Sequence, residues 1–182
     1  MFSIIDVEST NGDPIAGRSM EIAIVQFDGD RVTDTFTTLI QPGTPVQPYV
    51  ANLTGISDKM LVGAPTFKEI HGIIDDMTQD RIIVAHNLMF DMQILRSEFH
   101  RLDAEFDRDG ICTDKLSRHV WPDRKRYNLK SLCESLSIVF DGVHRAENDA
   151  LATAKLFKHL LRNSNHEVRT KKGASLRKII AA

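Results

Sequence analysis

From residue 21 to residue 40 the chain reads EIAIVQFDGDRVTDTFTTLI, and this stretch predicts the centre of the architecture. Residues 21–27 are apolar on both faces, which is typical of a strand buried inside a sheet. Asp28-Gly29-Asp30 predicts a turn, and residues 32–40 then alternate between two faces, as a second strand does. We therefore expect an antiparallel hairpin here.

Outward from this hairpin, the periodicity predicts one strand before it and alternating helices and strands after it. The residues up to Glu8 predict a short strand, and Thr66 with Glu69 forms a capping-box pattern for a helix that runs to about Met77. Further strands are expected at 81–85 and 111–113, helices at 88–102, 129–136, 147–161 and before Pro122, and short helical turns around 48–53, 57–61 and 176–180. Three antiparallel strands followed by this alternation imply an α/β fold, with a mixed five-stranded sheet and flanking helices.

The composition excludes several classes of protein. A chain of 182 residues with 42% apolar and 26% charged residues fits one globular domain with a real core. No apolar stretch approaches membrane-spanning length, and no basic segment precedes the short apolar run at the N-terminus, so we expect neither a membrane span nor a signal peptide. Cys112 and Cys133 lie far apart and form no CxxC motif, which indicates reduced thiols in a cytoplasmic protein.

The net charge of −2 is distributed unevenly along the chain. Residues 162–182 hold six basic residues against Glu167, a net charge of +5, which leaves −7 for residues 1–161. A second basic group, Arg124-Lys125-Arg126, lies inside the body of the chain. Basic clusters on an acidic protein can hold phosphates, and an ordinary solvated surface is the alternative reading of both clusters.

Acidic side chains occur in three separated segments, each at the edge of a predicted strand or helix. Asp6 and Glu8 end the first strand, and because side chains alternate along a strand, both point to one face. Asp91 and Asp149 fall within the apolar stripes of their helices, so both should face the sheet. Taken singly, each could be a strand end or a helix-dipole partner. Together they predict a shared cation site, and hard oxygen ligands without cysteine favour Mg²⁺ or Mn²⁺.

Two histidines accompany these carboxylates. His144 stands five residues before Asp149, at the head of the last helix, and fits a general base better than a metal ligand. His86 directly follows the predicted strand at 81–85, at the end of the sheet where open α/β proteins bind ligands. Both a substrate contact and a structural role fit His86.

These segments together resemble the DEDDh 3′–5′ exonuclease family, which includes the proofreading subunit of bacterial replicases. The resemblance runs in order over roughly residues 2–161, through IDVEST, SMEIAIVQF, LTGISDKMLVGAPTF, VAHNLMFDMQIL, YNLKSLCESLSI and HRAENDALATAKLF. In the last segment His144, instead of a tyrosine, is the mark of the h subclass. The first motif departs from the usual pattern because Ser9 separates Glu8 from Thr10, although Ser9 keeps a hydroxyl group.

The resemblance implies a ribonuclease-H-like fold and a metal-dependent exonuclease that releases nucleoside 5′-monophosphates from the 3′ ends of DNA. It implies an exonuclease domain at residues 1–162, followed by a basic C-terminal tail at 163–182. Two Mg²⁺ or Mn²⁺ ions would be held by four carboxylates, with the first of them bridging: Asp6, Glu8, Asp91 and Asp149. His144 would take the proton from the attacking water.

The family pattern also indicates residues that could hold the substrate. Five candidates for contact with the terminal nucleotide are Ser9, Thr10, Ile56, His86 and Phe90, and Phe90 fits a core position as well. Arg124, Lys125 and Arg126 are candidates for binding upstream phosphates.

Two alternative functions stay open at this level. One is an exoribonuclease that trims RNA ends, because nothing in the sequence reads a 2′-hydroxyl clearly. The other is a non-catalytic nuclease-like module that binds a polymerase partner through the basic tail, for which a lost carboxylate or histidine would be expected. All five are present, and the tail lacks a long glutamine- or proline-rich linker. The expected partners are single-stranded DNA or RNA 3′ ends, with a polymerase as a further candidate; monomer and homodimer are both open.

Overall fold

A computed structural model describes residues 1–140, 144–164 and 170. Among these residues the chain forms five strands, which are β1 (Phe2–Ser9), β2 (Ser19–Phe27), β3 (Val32–Leu39), β4 (Ile82–Ala85) and β5 (Gly110–Cys112). They build one sheet in the order β3-β2-β1-β4-β5. The β1–β2 and β2–β3 pairs are antiparallel, whereas β1–β4 and β4–β5 are parallel. The predicted hairpin is β2–β3, and the predicted mixed five-stranded sheet is confirmed.

Seven helices flank this sheet within the described part of the chain. They are α1 (Pro48–Thr54), α2 (Asp58–Leu61), α3 (Phe67–Thr78), α4 (Leu88–His100), α5 (Thr113–Val120), α6 (Leu129–Ser135) and α7 (Ala146–Asn163). The capping box predicted for α3 is present, since the Thr66 N–H donates to the Glu69 carboxylate at 2.7 Å. The turn predicted at 176–180 and most of the predicted basic tail lie outside the described residues.

The sheet separates two apolar layers. Neighbouring residues of β1 point to opposite faces, so Ile4 packs in the layer that contains α7, and Ile5 packs in the layer that contains α3 and α4. Every residue of β2 is buried, which explains why this strand is apolar on both faces. In the α7 layer the rings of Phe2 and Phe157 meet edge to face, with their centroids 5.0 Å apart. None of the described helices combines the length and the apolar content that crossing a bilayer requires.

The parallel arrangement of β1 and β4 sets the position of the site predicted from the sequence. Both strands run towards the same edge of the sheet, where β1 presents Glu8 and β4 ends at Ala85. Helix α4 begins at Leu88, only three residues after the end of β4. The first turn of α4 therefore lies beside the end of β1, in the crevice where α/β sheets bind ligands.

Candidate active site

Carboxylates from β1, α4 and α7 converge at the carboxyl-terminal end of β1. The Asp91 Oδ1 atom accepts a hydrogen bond from the Val7 N–H at 3.0 Å, which ties α4 to the strand between Asp6 and Glu8. Possible ligand atoms of Glu8, Asp149 and His144 all lie within 4.8 Å of one another. The structure thus brings together three segments that are far apart in sequence.

Burial of the two helical carboxylates agrees with their predicted orientation. Asp91 is 4% exposed and Asp149 is 8% exposed, so both face inwards from their helices. The Asp149 Oδ2 atom accepts a hydrogen bond from the backbone N–H of His144 at 3.3 Å. Its Oδ1 atom is buried and has no hydrogen-bond partner among the described residues. A buried carboxylate oxygen without a partner is costly, and a bound cation is one partner that would satisfy it.

Burial, together with the neighbouring negative charges, raises the pKa values of these carboxylates. Burial raises the pKa of Asp6 well above its usual value, and the charges of Asp91 and Glu8 raise it further. Burial likewise raises the pKa of Glu8 to about 7 and that of Asp149 to about 6. Burial also raises the pKa of Asp91, against the lowering effect of the Val7 N–H. A divalent cation among these oxygens would relieve the repulsion, so this set of donors fits Mg²⁺ or Mn²⁺.

His144 occupies an unusual backbone conformation beside this group. Its φ angle is +62°, in the left-handed region that costs most residues of order 1–3 kcal/mol, so the surrounding structure must hold it there. Burial lowers the pKa of His144, which favours the neutral imidazole at pH 7. A neutral imidazole next to carboxylates can accept a proton.

An ion pair that the sequence analysis did not single out secures the start of α7. The buried carboxylate of Glu21 in β2 accepts hydrogen bonds from the Arg145 guanidinium at 2.7 Å and from the Ala146 N–H at 2.9 Å. In the sheet, Glu21 is paired with Glu8. The available signal was a glutamate in an otherwise apolar strand, because a buried charge requires a partner.

Three of the predicted nucleotide contacts lie inside the protein. The Ser9 hydroxyl donates to the Asn11 carbonyl at 2.5 Å, and the Thr10 hydroxyl oxygen accepts the Arg18 N–H at 3.1 Å. Ile56 is 0% exposed, in a separate apolar cluster beneath α1 and α2. All three side chains have structural contacts, and their contact with a nucleotide stays a prediction.

The other two predicted contacts are half-buried near the start of α4. The His86 Nδ1 atom lies 3.0 Å from the Thr113 hydroxyl, and burial lowers the pKa of this histidine. Phe90 packs against the apolar layer of α3 and α4 while it keeps part of its surface exposed. Phe90 can therefore pack against the core and still contact a nucleotide, and that contact stays a prediction.

Comparison with known proteins identifies relatives over most of the chain. The family model for exonucleases (RNase_T) matches residues 3–157. DNA polymerase III subunit epsilon of Aquifex aeolicus is 34% identical over 161 residues, which are 88% of this chain and 80% of that protein. The 3′-5′ exonuclease DinG of Bacillus subtilis is 32% identical over 162 residues, 88% of this chain but only 17% of that protein. The chain thus spans a small part of the longer relative.

Solved structures show the same fold. Exonuclease X in complex with 5′ overhanging duplex DNA superposes with a TM-score of 0.74 at 27% identity, covering 91% of this chain and 94% of that one. The nuclease domain of 3′hExo, a DEDDh family member bound to rAMP, superposes with a TM-score of 0.80 at 19% identity, covering 95% of this chain and 96% of that one. These structures confirm the ribonuclease-H-like fold, and the family model and the Aquifex relative confirm the resemblance inferred from the sequence: the chain belongs to the exonuclease family.

Proposed function

We propose that this protein is a metal-dependent 3′–5′ exonuclease that releases nucleoside 5′-monophosphates from the 3′ ends of DNA. The observation that carries the proposal is the convergence of acidic groups from β1, α4 and α7 beside an imidazole. Names of relatives support the direction and the substrate, since one is a 3′-5′ exonuclease and another is a DNA polymerase III subunit. Exonuclease X, at 27% identity, was solved with DNA.

Each side chain of the site has a task in this proposal. The carboxylates of Asp6, Glu8, Asp91 and Asp149 would hold two divalent cations, and such a pair would supply charge stabilisation to the attacking and leaving oxygens at phosphorus. The neutral imidazole of His144 accepts the proton of the attacking water. The backbone N–H of Val7 fixes the Asp91 carboxylate. The hydrogen bond from the backbone N–H of His144 to Asp149 keeps the imidazole beside the carboxylates.

The proposed nucleotide contacts differ in how accessible they are. His86 and Phe90 keep exposed surface at the start of α4, so both can meet the terminal nucleotide directly. Stacking of a base on an aromatic ring contributes about 1–3 kcal/mol, which Phe90 could supply. Ser9 and Thr10 would act through the backbone next to Glu8, whereas Ile56 would contact a nucleotide only after its neighbours move.

Degradation of labelled DNA tests this function directly. Single-stranded DNA with a 5′ label should give a ladder of progressively shorter products with Mg²⁺ and none with chelator, and a 3′ label should be released at once as a mononucleotide. Asp6→Asn and Asp149→Asn should abolish the ladder. Asp76→Asn is the matched control, because it makes the same chemical change on the exposed face of α3. Absence of metal-dependent shortening of every oligonucleotide would contradict the proposal.

The same assay decides between DNA and RNA. Matched DNA and RNA strands should be compared by kcat/KM, and a higher value for RNA would favour the exoribonuclease alternative.

The polymerase partner suggested by the name of the Aquifex relative is tested by co-purification with a replicative polymerase subunit. A catalytically inert protein that still binds a polymerase would favour the non-catalytic alternative.

A further inference from the structure

The connection between α5 and α6, residues 121–128, forms a basic loop. Residues 114–130 around it hold six basic residues and two aspartates, a net charge of +4 in a chain whose total is −2. Arg124 is half-buried, while Lys125 and Arg126 are exposed. None of these three side chains forms an ion pair with another residue of the described ranges. The loop therefore presents uncompensated positive charge on an acidic protein.

Aromatic contacts hold the basic loop in a defined shape. The Arg124 guanidinium lies 4.7 Å from the centre of the Trp121 ring. The Tyr127 hydroxyl lies 2.6 Å from the Trp121 carbonyl oxygen and 2.9 Å from that of Pro122, which closes the loop on itself. Such contacts reduce the conformational freedom that the basic side chains would lose when they bind a ligand.

Arg118 has a different role from the basic residues of the loop. Its guanidinium lies 4.4 Å from the centre of the Tyr127 ring and donates two hydrogen bonds of 3.0 Å to Asp114. Its charge is therefore compensated on the protein. Arg118 supports the ring that closes the loop, and the charge available to a ligand is that of Arg124, Lys125 and Arg126.

The basic loop adjoins the candidate active site through His86. The backbone of Tyr127 hydrogen-bonds to His86, and the Nδ1 atom of the same imidazole lies 3.0 Å from the hydroxyl of Thr113, the first residue of α5. His86 directly follows β4, which pairs with the strand that holds Asp6 and Glu8. A ligand that extends from the carboxylates past His86 thus reaches the loop.

We propose that Arg124, Lys125 and Arg126 bind the phosphate backbone of the substrate strand upstream of its 3′ end. The proposal rests on the proposed exonuclease function, because a strand whose 3′ nucleotide lies among the carboxylates must leave the site across the protein surface. The remaining acidic surface repels phosphates, so the loop favours one path. Contacts to phosphates hold a strand without reading its bases, as an exonuclease that removes successive nucleotides requires.

The test compares two double variants that remove the same charge. Lys125→Ser/Arg126→Ser changes the two exposed basic residues of the loop, whose side chains form no ion pair with any residue in the described part of the chain. Arg31→Ser/Arg162→Ser is the control at the opposite end of the sheet, where the two arginines pair with Asp28 and Asp30. Anisotropy of a fluorescent single strand of about 20 nucleotides, titrated in chelator over a range of salt concentrations, measures binding without turnover.

The logarithm of the association constant falls linearly with the logarithm of the salt concentration. Loss of two phosphate contacts should make this slope less steep by about 1.4 in the loop variant. The control variant should keep the wild-type slope. In turnover, the ratio of KM for the long strand to KM for a dinucleotide should rise, because a dinucleotide does not reach the loop. Equal slopes in both variants, or an equal rise of KM for both substrates, would overturn the proposal. A wild type that binds through the loop but degrades no DNA would contradict only the exonuclease function.

Discussion

The buried Asp91 carboxylate destabilises the folded protein. Its side chain is almost fully buried, and burial raises its pKa well above the usual value, so the folded state is destabilised at any pH above the ordinary carboxylate range. Asp91→Asn removes the charge and keeps an oxygen that can accept the Val7 N–H. In chelator at pH 8, the Asp91→Asn variant should have a higher Tm than the wild type. In a domain of this size, a gain of 1 kcal/mol in the free energy of unfolding corresponds to a rise of about 2–4 °C.

In Mg²⁺ the wild type should instead have a higher Tm than the Asp91→Asn variant. Under the proposed function, Mg²⁺ should bind the folded wild type and raise its Tm, whereas the Asp91→Asn variant would lack one proposed anionic ligand and should gain little. Thermal melts with and without Mg²⁺ measure both effects, and Asp76→Asn on the surface of α3 serves as control. If the Asp91→Asn variant had a lower Tm than the wild type in the presence of chelator, the expectation would be contradicted.

The acid–base behaviour of Glu8 predicts a pH dependence of metal affinity. Because the pKa of Glu8 is raised to about 7 and that of Asp149 to about 6, both carboxylates bind protons more readily as the pH falls from 8 to 5. A cation must displace these protons, so the apparent affinity for Mg²⁺ should fall about tenfold per pH unit for each proton displaced. Calorimetric titrations between pH 5.5 and pH 8 measure this slope; equal affinity at both ends would refute it. Glu8→Gln should bind more weakly and lose the step near pH 7.

Local pattern explains which residues of the candidate site could be located from the sequence. Asp6 and Glu8 share one face of a strand, and Asp91 lies in an apolar helical stripe, so each has a signal among its neighbours in sequence. Glu21 and Arg145 pair across 124 positions of the chain, and no local pattern joins them. For the same reason the internal contacts of Thr10 could not be read in advance, since they depend on Arg18 across a loop.

At the scale of elements, the attachment of α7 to β2 governs the geometry of the site. Helix α7 has no side-chain cap of its own, and the Glu21 carboxylate instead accepts its Ala146 N–H and the Arg145 guanidinium. His144 precedes this attachment and Asp149 lies in the first turn after it. The positions of both candidate site residues therefore depend on an ion pair that lies outside the proposed metal ligands and nucleotide contacts.

Glu21→Gln should consequently impair the chemical step. The amide cannot compensate the Arg145 charge, so the start of α7 should shift, and kcat should fall by about 10–100-fold, the range seen when residues that orient site ligands are changed. KM should change less, because the proposed nucleotide contacts belong to other elements. Steady-state kinetics on single-stranded DNA separates the two constants.

Glu98→Gln is the matched control for this element. Glu98 is equally buried and pairs with Arg18 at 2.9 Å, but it joins α4 to the start of β2. Removal of a buried partner should lower the Tm of both variants. Only Glu21→Gln should show the large loss of kcat, and similar kcat losses in the two variants would mean that general destabilisation explains both.

The elements themselves were more predictable than their arrangement. Period and capping are local signals, so strands, helices and the capping box of α3 followed from the sequence. The order β3-β2-β1-β4-β5 was not deducible beyond the hairpin. It depends on which helix covers which face of β1, where Ile4 and Ile5 belong to different layers.

At the scale of the whole molecule, charge is separated between an acidic body and basic segments. Residues 165–182 hold five basic residues and one glutamate, a net charge of +4, so residues 1–164 have a net charge of −6. A body of this charge repels nucleic acid outside the basic loop. The C-terminal residues should therefore raise the rate of encounter with DNA through long-range attraction.

A variant that ends at Ser164 tests this separation of charge. It should bind single-stranded DNA more slowly than the full chain at about 50 mM salt, and the difference should shrink towards 1 M salt, where the screening length is about 3 Å. Truncation also removes Thr170, whose hydroxyl contacts Asp109. A full-length variant with the five basic residues of 165–182 changed to Gln keeps that contact and should behave like the truncated protein if charge is the cause. Stopped-flow association rates measure the effect, and a difference that persists at high salt would assign it to lost contacts instead of long-range attraction.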